Sequence, residues 1–140
     1  MMDLAEAGVG AALAAGAAYA DARVMVITME SMSAQNGDVD SLHQSERAGI
    51  GVRALTGSSW GFAATTDLSA AGVRRVGEQA AGTSRASARV PGPGLEMAPV
   101  APVTDHWEST CAEDPLSVPL AEKADLLLSV TNPLRAAGAQ

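Results

Sequence analysis

Apolar and polar residues alternate most regularly over residues 50–66, on either side of Thr56-Gly57-Ser58. One face of the first run carries Ile50, Val52 and Ala54, and the other carries Gly51 and Arg53. In the second run, Trp60, Phe62 and Ala64 alternate with Gly61, Ala63 and Thr65. Period-two alternation around a glycine-containing turn predicts a β-hairpin. Because large rings bury the most apolar surface, Trp60 and Phe62 are expected to anchor the core here.

The remaining pattern predicts two further strands and three helices. They are a helix over 3–19, strands over 22–34 and 38–47 joined at Asn36-Gly37, a helix from about 67 to 88, and a last helix over 119–137. A turn at Ala48-Gly49 is expected to lead from the second strand into the hairpin. The predicted fold class is therefore α+β: N-terminal helix, four-stranded antiparallel meander, helix, proline-rich crossover and C-terminal helix.

Three local features refine this prediction. Thr66, Asp67 or Ser69 is expected to cap the second helix. Asn132-Pro133 is expected to kink or break the last helix. The letters Gly49-Ile50-Gly51-Val52-Arg53-Ala54 fit a dinucleotide fingerprint, but that motif must turn from a strand into a helix. Inside a strand pattern, the glycines instead indicate a bulge or the close approach of another backbone.

The chain is expected to divide into three parts. Residues 1–90 contain the first helix, the antiparallel sheet and the second helix. Residues 91–118 form a proline-rich extended segment, and 119–140 a C-terminal helix that leads toward a missing downstream region.

Composition restricts the partners and the compartment. The net charge of −7 argues against nucleic acid, whose phosphates require a basic face. The apolar stretch 4–20 lacks a basic leader and is interrupted by acidic residues and glycines, so neither a secretory signal nor a membrane span is predicted. The single cysteine, Cys111, forms no internal disulfide and suits a reducing cytoplasm, where we expect the protein.

Candidate chemistry is sparse. His106-Trp107-Glu108 matches half of the zinc deaminase signature, but the required Cys-x-x-Cys pair is absent. His43 lies far from His106 in the sequence, and Cys111 has no basic neighbour that would activate its thiol. No catalytic, cofactor-binding or metal-binding residue is predicted in this chain, which we expect to be inactive alone.

Several segments carry a family resemblance. They are Tyr19-Ala20-Asp21-Ala22-Arg23-Val24 after an alanine-rich helix, Asn36-Gly37, Gly49 to Leu55, Trp60-Gly61-Phe62-Ala63, and Trp107-Glu108-Ser109 followed by Glu113 to Leu120. Their order and spacing, between about Leu4 and Leu128, resemble the N-terminal domain of the TldD/PmbA family, and the TldD branch more than the PmbA branch.

The resemblance implies a cytoplasmic zinc metallopeptidase that acts as a dimer on unfolded or modified peptides, which it takes up as extended strands. The family's zinc is held by a His-Glu-x-x-x-His helix and a cysteine of the C-terminal domain. That motif is absent here, so no catalytic residue is carried over.

Two hypotheses follow. In the first, this chain is the N-terminal, non-catalytic portion of such a peptidase, acts in proteolysis or peptide processing, and contributes to the substrate cavity and dimer interface. It would then be a truncated reading frame or one half of a split gene, with a TldD/PmbA-family subunit or a separately encoded C-terminal half as its partner. In the second, it is a stand-alone non-catalytic peptide-binding or partner subunit.

The polar strand 38–47 is the candidate contact surface for a peptide or a partner. Only two of its residues, Val39 and Leu42, are clearly apolar, as in a strand at a sheet edge. Val39, Leu42 and His43 are therefore the predicted edge residues.

Overall fold

Three helices and three strands alternate in blocks along the described ranges of the chain. The computed structural model describes residues 1–90, 92–93, 95 and 97–138. The elements are α1 (Met2–Ala14), β1 (Tyr19–Gln35), β2 (Asp38–Thr56), β3 (Ser59–Thr65), α2 (Ala70–Ser87) and α3 (Leu120–Ala136). The sheet has the order β1-β2-β3, and β2 pairs antiparallel with β3 from Ile50↔Thr65 to Thr56↔Ser59.

The predicted four-stranded meander is wrong, because the expected second and third strands are one strand. β2 continues through Ala48 and Gly49 without a turn. Gly49 does not adopt a positive φ, and a Cβ there would lie 3.1 Å from the carbonyl oxygen of Thr65. This glycine therefore permits the close approach of the neighbouring strand and does not reverse the chain. The fold remains α+β, with a three-stranded antiparallel sheet.

The turn between β1 and β2 follows the sequence pattern. Asn36 and Gly37 have φ values of 54° and 87° and form a two-residue connection between antiparallel strands. Asparagine and glycine tolerate this left-handed conformation better than other residues, which is why the pair predicted the hairpin.

The ends of α1 and α2 are set by local backbone chemistry. α1 ends at Ala14, five residues before the predicted end, because Gly16 has a φ of 94° and the N–H of Ala18 donates to the carbonyl oxygen of Leu55 at 2.8 Å. Of the three candidate caps of α2, Ser69 takes the role, and its hydroxyl accepts the Gly72 N–H at 3.1 Å.

The chain divides into two compact units, and the long strands β1 and β2 contribute residues to both. Unit 1 comprises Met1–Ile27 and Arg47–Val100, and unit 2 comprises Thr28–Glu46 and Ala101–Gln140.

The core of unit 1 lies between the sheet and the helices α1 and α2. Its members are Ala12, Ala17, Ile50, Val52, Ala54, Ala63, Val73, Val76, Ala80 and Ala81. Small residues let the elements approach: a Cβ on Gly8 of α1 would lie 3.0 Å from Cγ2 of Val52. The predicted inward face of the first hairpin strand, containing Ile50, Val52 and Ala54, is buried.

The expectation that Phe62 anchors the core is wrong. Its side chain is 61% exposed, and the buried residues of β3 are Gly61 and Ala63. Helix α2 packs so closely on this strand that its inward positions have room only for very small residues. The large rings of β3 consequently lie on the sheet face that the helices leave open.

In unit 2, α3 is tied to the hairpin by polar contacts at two places. Lys123 donates a hydrogen bond to Glu30, and Arg135 Nη1 donates to the carbonyl oxygen of Asn36 at 2.8 Å. The helical distance between the two cations, roughly 18 Å at 1.5 Å per residue, matches the roughly 20 Å of strand between their partners. α3 continues through Pro133 instead of ending there. No helix in the described part of the chain is long and apolar enough to cross a membrane.

Candidate functional site

The sheet face of unit 1 that points away from α1 and α2 forms an open groove of about 820 Å³. Alternate residues of a strand point to the same face, and the groove is built mainly on the residues that face away from the helices. β1 contributes Asp21, Arg23, Met25 and Ile27, and β2 contributes Arg47 to Gly51 and Arg53. β3 contributes Phe62, Ala64 and Thr65, and Thr66 follows directly after it. Both the apolar and the basic residues of this face are therefore collected in one concave surface.

The floor of the groove is shaped by a glycine and an aromatic ring. A Cβ at Gly51 would lie 3.0 Å from Cε2 of Phe62, so the ring lies over the glycine on the neighbouring strand. Gly51 does not adopt a positive φ, so the backbone conformation does not require glycine here. Glycine instead leaves space above the strand for the ring. With Met25 and Ile27, which are also exposed, Phe62 makes the groove mainly apolar.

One of the three arginines of the groove is held by neighbouring side chains. Arg53 donates two hydrogen bonds to the carboxylate of Asp21, with Nε at 3.0 Å and Nη2 at 2.7 Å, and its Cζ lies 5.0 Å from the centre of the Trp60 ring. The hydrogen bonds from Arg53 to Asp21, and then the negative charge of Asp21, raise the pKa of Arg53 above its ordinary value. Arg53 is therefore a fixed and paired cation.

The other two arginines, Arg23 and Arg47, form no ion pair with any side chain that the structure describes. Asp21 is the single acidic residue of the groove lining, and Arg53 already pairs with it. Three of the nine basic side chains of a chain with net charge −7 thus line this one surface. The groove carries a local excess of positive charge.

The predicted edge residues Val39, Leu42 and His43 lie in unit 2, on the outer part of β2, and all three are exposed. The pairing of β2 with β3 begins at Ile50, so β3 leaves the backbone of 38–49 unpaired on that side. A contact of these three residues with a peptide or a partner stays a prediction, and the groove lies in the other unit.

The other chemical candidates lie apart. His106 is exposed, its Nε2 lies 3.9 Å from Oε2 of Glu108, and Cys111 is exposed. The described residues contain no group of three or more His, Cys, Asp or Glu side chains that could hold a metal ion. They do not fit the zinc site that the family resemblance implies for the full-length enzymes.

The groove was not recognised from the sequence, although a signal for it existed. Arg23, Met25 and Ile27 recur at every second position of β1. Arg47, Gly49, Gly51 and Arg53 do the same along β2. Reading β2 as two strands concealed that the second set is continuous. The prediction that Phe62 lies in the core also assigned its ring to the wrong face of the sheet.

Comparison with known families gives a match to the PmbA/TldA metallopeptidase domain 1 over residues 20–84. A comparison with curated proteins found no match. The matched segment is a little under half of the chain and includes all of β1 but its first residue, β2, β3, most of α2 and the whole groove lining. It does not extend to α1 or α3, which the resemblance drawn from the sequence had included. Residues 20–84 thus match the first domain of the TldD/PmbA metallopeptidase family.

Proposed function

We propose that this domain is a substrate-binding, non-catalytic part of a TldD/PmbA-type metallopeptidase that acts in proteolysis or peptide processing. The observation that carries the proposal is the open groove on the sheet face of the matched segment. Its volume lies within the roughly 300–1,000 Å³ typical of ligand sites, and its lining is apolar with a few charged groups. An extended peptide segment fits such a surface, since its side chains alternate at the same spacing as those of the strands below it.

The unpaired edge of β2 in unit 2 is the second part of the proposal. Backbone N–H and C=O groups on a sheet edge can pair with an added strand, supplied either by a peptide or by a partner subunit. We assign this contact to Val39, Leu42 and His43. A TldD/PmbA-family subunit at this edge would form the dimer interface, and zinc would be held by a C-terminal domain that carries the His-Glu-x-x-x-His helix.

Proline substitution tests the edge. Val39→Pro and Leu42→Pro each remove one backbone N–H. A proline that faces the free edge weakens peptide or subunit binding while the circular dichroism spectrum stays unchanged. A proline that faces β1 breaks the β1–β2 ladder and is recognised by a changed spectrum. If binding is unchanged in a folded proline variant, the edge is only a solvated strand.

Peptide cleavage with added zinc tests the function itself. The full chain is assayed alone and then mixed with a TldD/PmbA-family subunit that carries the His-Glu-x-x-x-His helix. We expect cleavage only in the mixture, at a rate above that of the added subunit alone. A chelator should abolish this cleavage. Cleavage by this chain alone contradicts the non-catalytic role. Peptide binding without cleavage in either sample favours the alternative of a stand-alone binding subunit.

A further inference from the structure

We propose that the groove of unit 1 selects peptide segments in which an acidic side chain precedes or follows an apolar one by two positions. Arg23 and Arg47 would bind the acidic group, and Phe62 with its apolar neighbours would bind the other. This inference rests on the proposed peptide-binding function and adds a substrate class to it.

The first argument is charge. Arg53 is neutralised by Asp21, whereas Arg23 and Arg47 have no acidic partner among the described side chains. A guanidinium group binds a carboxylate through two parallel hydrogen bonds, which makes arginine well suited to recognise a carboxylate. The chain has a net charge of −7, but the groove is positively charged. The groove therefore attracts an anionic peptide segment that the rest of the surface repels.

The second argument is spacing. Arg23, Met25 and Ile27 lie on one face of β1, so a cation and two apolar side chains follow one another along the strand. Their spacing is roughly 6.6 Å, because a strand rises about 3.3 Å per residue. An extended peptide that runs along β1 presents its own side chains i and i+2 at the same interval. The pattern acidic-x-apolar in the peptide therefore matches arginine-x-methionine on the strand.

The third argument concerns the size of the ligand. Two unpaired arginines beside exposed apolar side chains suit one or two carboxylates on an apolar peptide, not the long run of phosphates of a nucleic acid. Met25 and Phe62 are exposed, and an acidic-apolar peptide would cover both while it pairs with the arginines.

The experiment compares three labelled octapeptides by fluorescence anisotropy with the full chain. The acidic peptide repeats Ser-Glu-Ser-Leu twice, and the neutral and basic peptides have Gln or Lys in place of Glu. At low salt we expect the acidic peptide to bind about fivefold tighter than the neutral one, as two exposed charge pairs provide. The basic peptide should bind most weakly, and 0.5 M salt should remove most of the difference.

Matched variants test whether the preference for the acidic peptide depends on the arginines of the groove. The double variant Arg23→Gln with Arg47→Gln should lose the preference for Glu over Gln. The double variant Arg74→Gln with Arg89→Gln removes the same charge from exposed positions of unit 1 outside the groove and should keep it. Replacement of Arg23 and Arg47 by Lys should keep a reduced preference, which separates loss of charge from loss of folding.

The outcomes are distinguishable. If all three peptides bind equally well, the charge selection is overturned and peptide binding stands. If no peptide binds to the folded chain, the proposed function fails with it. If the groove variants alter self-association in sedimentation experiments but not the peptide preference, a second copy of the chain occupies the groove, and the inference is overturned.

Discussion

Gly61 of β3 lies directly against the backbone of Ala80 on α2. A Cβ at position 61 would stand closer to the Ala80 carbonyl oxygen than real Cβ atoms approach, and it would also lie 2.9 Å from Cα of Ser84. Both contacts are with main chain, so no side-chain rotation can relieve them. The missing side chain of Gly61 therefore sets the distance between the helix and the sheet.

Gly61→Ala should consequently destabilise the protein strongly. The added methyl group must push α2 away from β3, and overpacking of this kind typically costs about 1–3 kcal/mol. Urea denaturation followed by circular dichroism measures the loss in free energy of unfolding. Gly82→Ala is the matched control, because nothing lies within 4 Å of a Cβ at that position of α2. It should stabilise the protein by about 0.5–1 kcal/mol, and equal effects of the two changes would contradict the packing argument.

Ser84→Ala should weaken the same helix–strand contact in a different way. Ser84 is fully buried, and its hydroxyl donates to the carbonyl oxygen of Ser59 at 2.9 Å. Removal of the hydroxyl leaves that carbonyl without this donor and should cost about 1 kcal/mol. Ser87→Ala, at an exposed position of the same helix, serves as the control. If both variants unfold at the same urea concentration as the unchanged chain, the hydrogen bond contributes nothing to stability.

Period-two alternation predicted the inward face of the hairpin in unit 1, because it reports directly which residues face a core. Ile50, Val52 and Ala54 are buried as expected. In unit 2, the Asn-Gly pair predicted the turn at Asn36-Gly37. The pattern could not show whether Gly49 turns the chain or lies in a strand, since glycine suits both. That choice depends on the approach of β3, which lies 16 residues further along the chain at Thr65.

The candidate site was harder to predict than the core, because the presence of an aromatic residue in a strand does not indicate which face of the sheet its ring occupies. Phe62 is the most apolar residue of its strand, yet the inward positions belong to Gly61 and Ala63. The deciding factor is the closeness of α2, a tertiary property. The arginines of the groove lie on two strands, and their convergence appears only once β2 is known to be continuous.

Gly51→Ala should change the groove without unfolding the sheet. The new Cβ would lie 3.0 Å from Cε2 and 3.1 Å from Cζ of Phe62, and a side chain at this exposed face can rotate away. We therefore expect a stability change below about 1 kcal/mol. Binding of the acidic octapeptide should weaken because the displaced ring no longer covers the floor. Phe62→Leu, which keeps an apolar side chain without the ring, separates loss of the ring from loss of apolar surface. Unchanged binding in both variants would exclude Phe62 from the site.

The stability of unit 2 should depend on pH through Glu30. This carboxylate is 13% exposed and accepts hydrogen bonds from Lys123, which is 21% exposed, and from Gln44 at 2.9 Å. The hydrogen bond from Lys123, followed by the one from Gln44, lowers the pKa of Glu30 below its ordinary 4.5. A carboxyl group with a lowered pKa in the folded state stabilises that state above its unfolded pKa. The contribution is present above pH 4.5 and is lost as the pH falls through the folded value.

Amide hydrogen exchange along α3 and an NMR titration of the Glu30 carboxyl group measure this directly. On acidification below pH 4.5, protection of α3 should fall in the unchanged chain. Lys123→Met should bring the pKa of Glu30 back toward 4.5 and reduce protection already at pH 7. Glu30→Gln removes the titrating group, so the low-pH loss of α3 protection should shrink in that variant. A Glu30 pKa that does not respond to Lys123→Met would mean that the lysine does not stabilise the carboxylate. α3 would then be held on the hairpin by other contacts, of which the bond from Arg135 to Asn36 is the first to test.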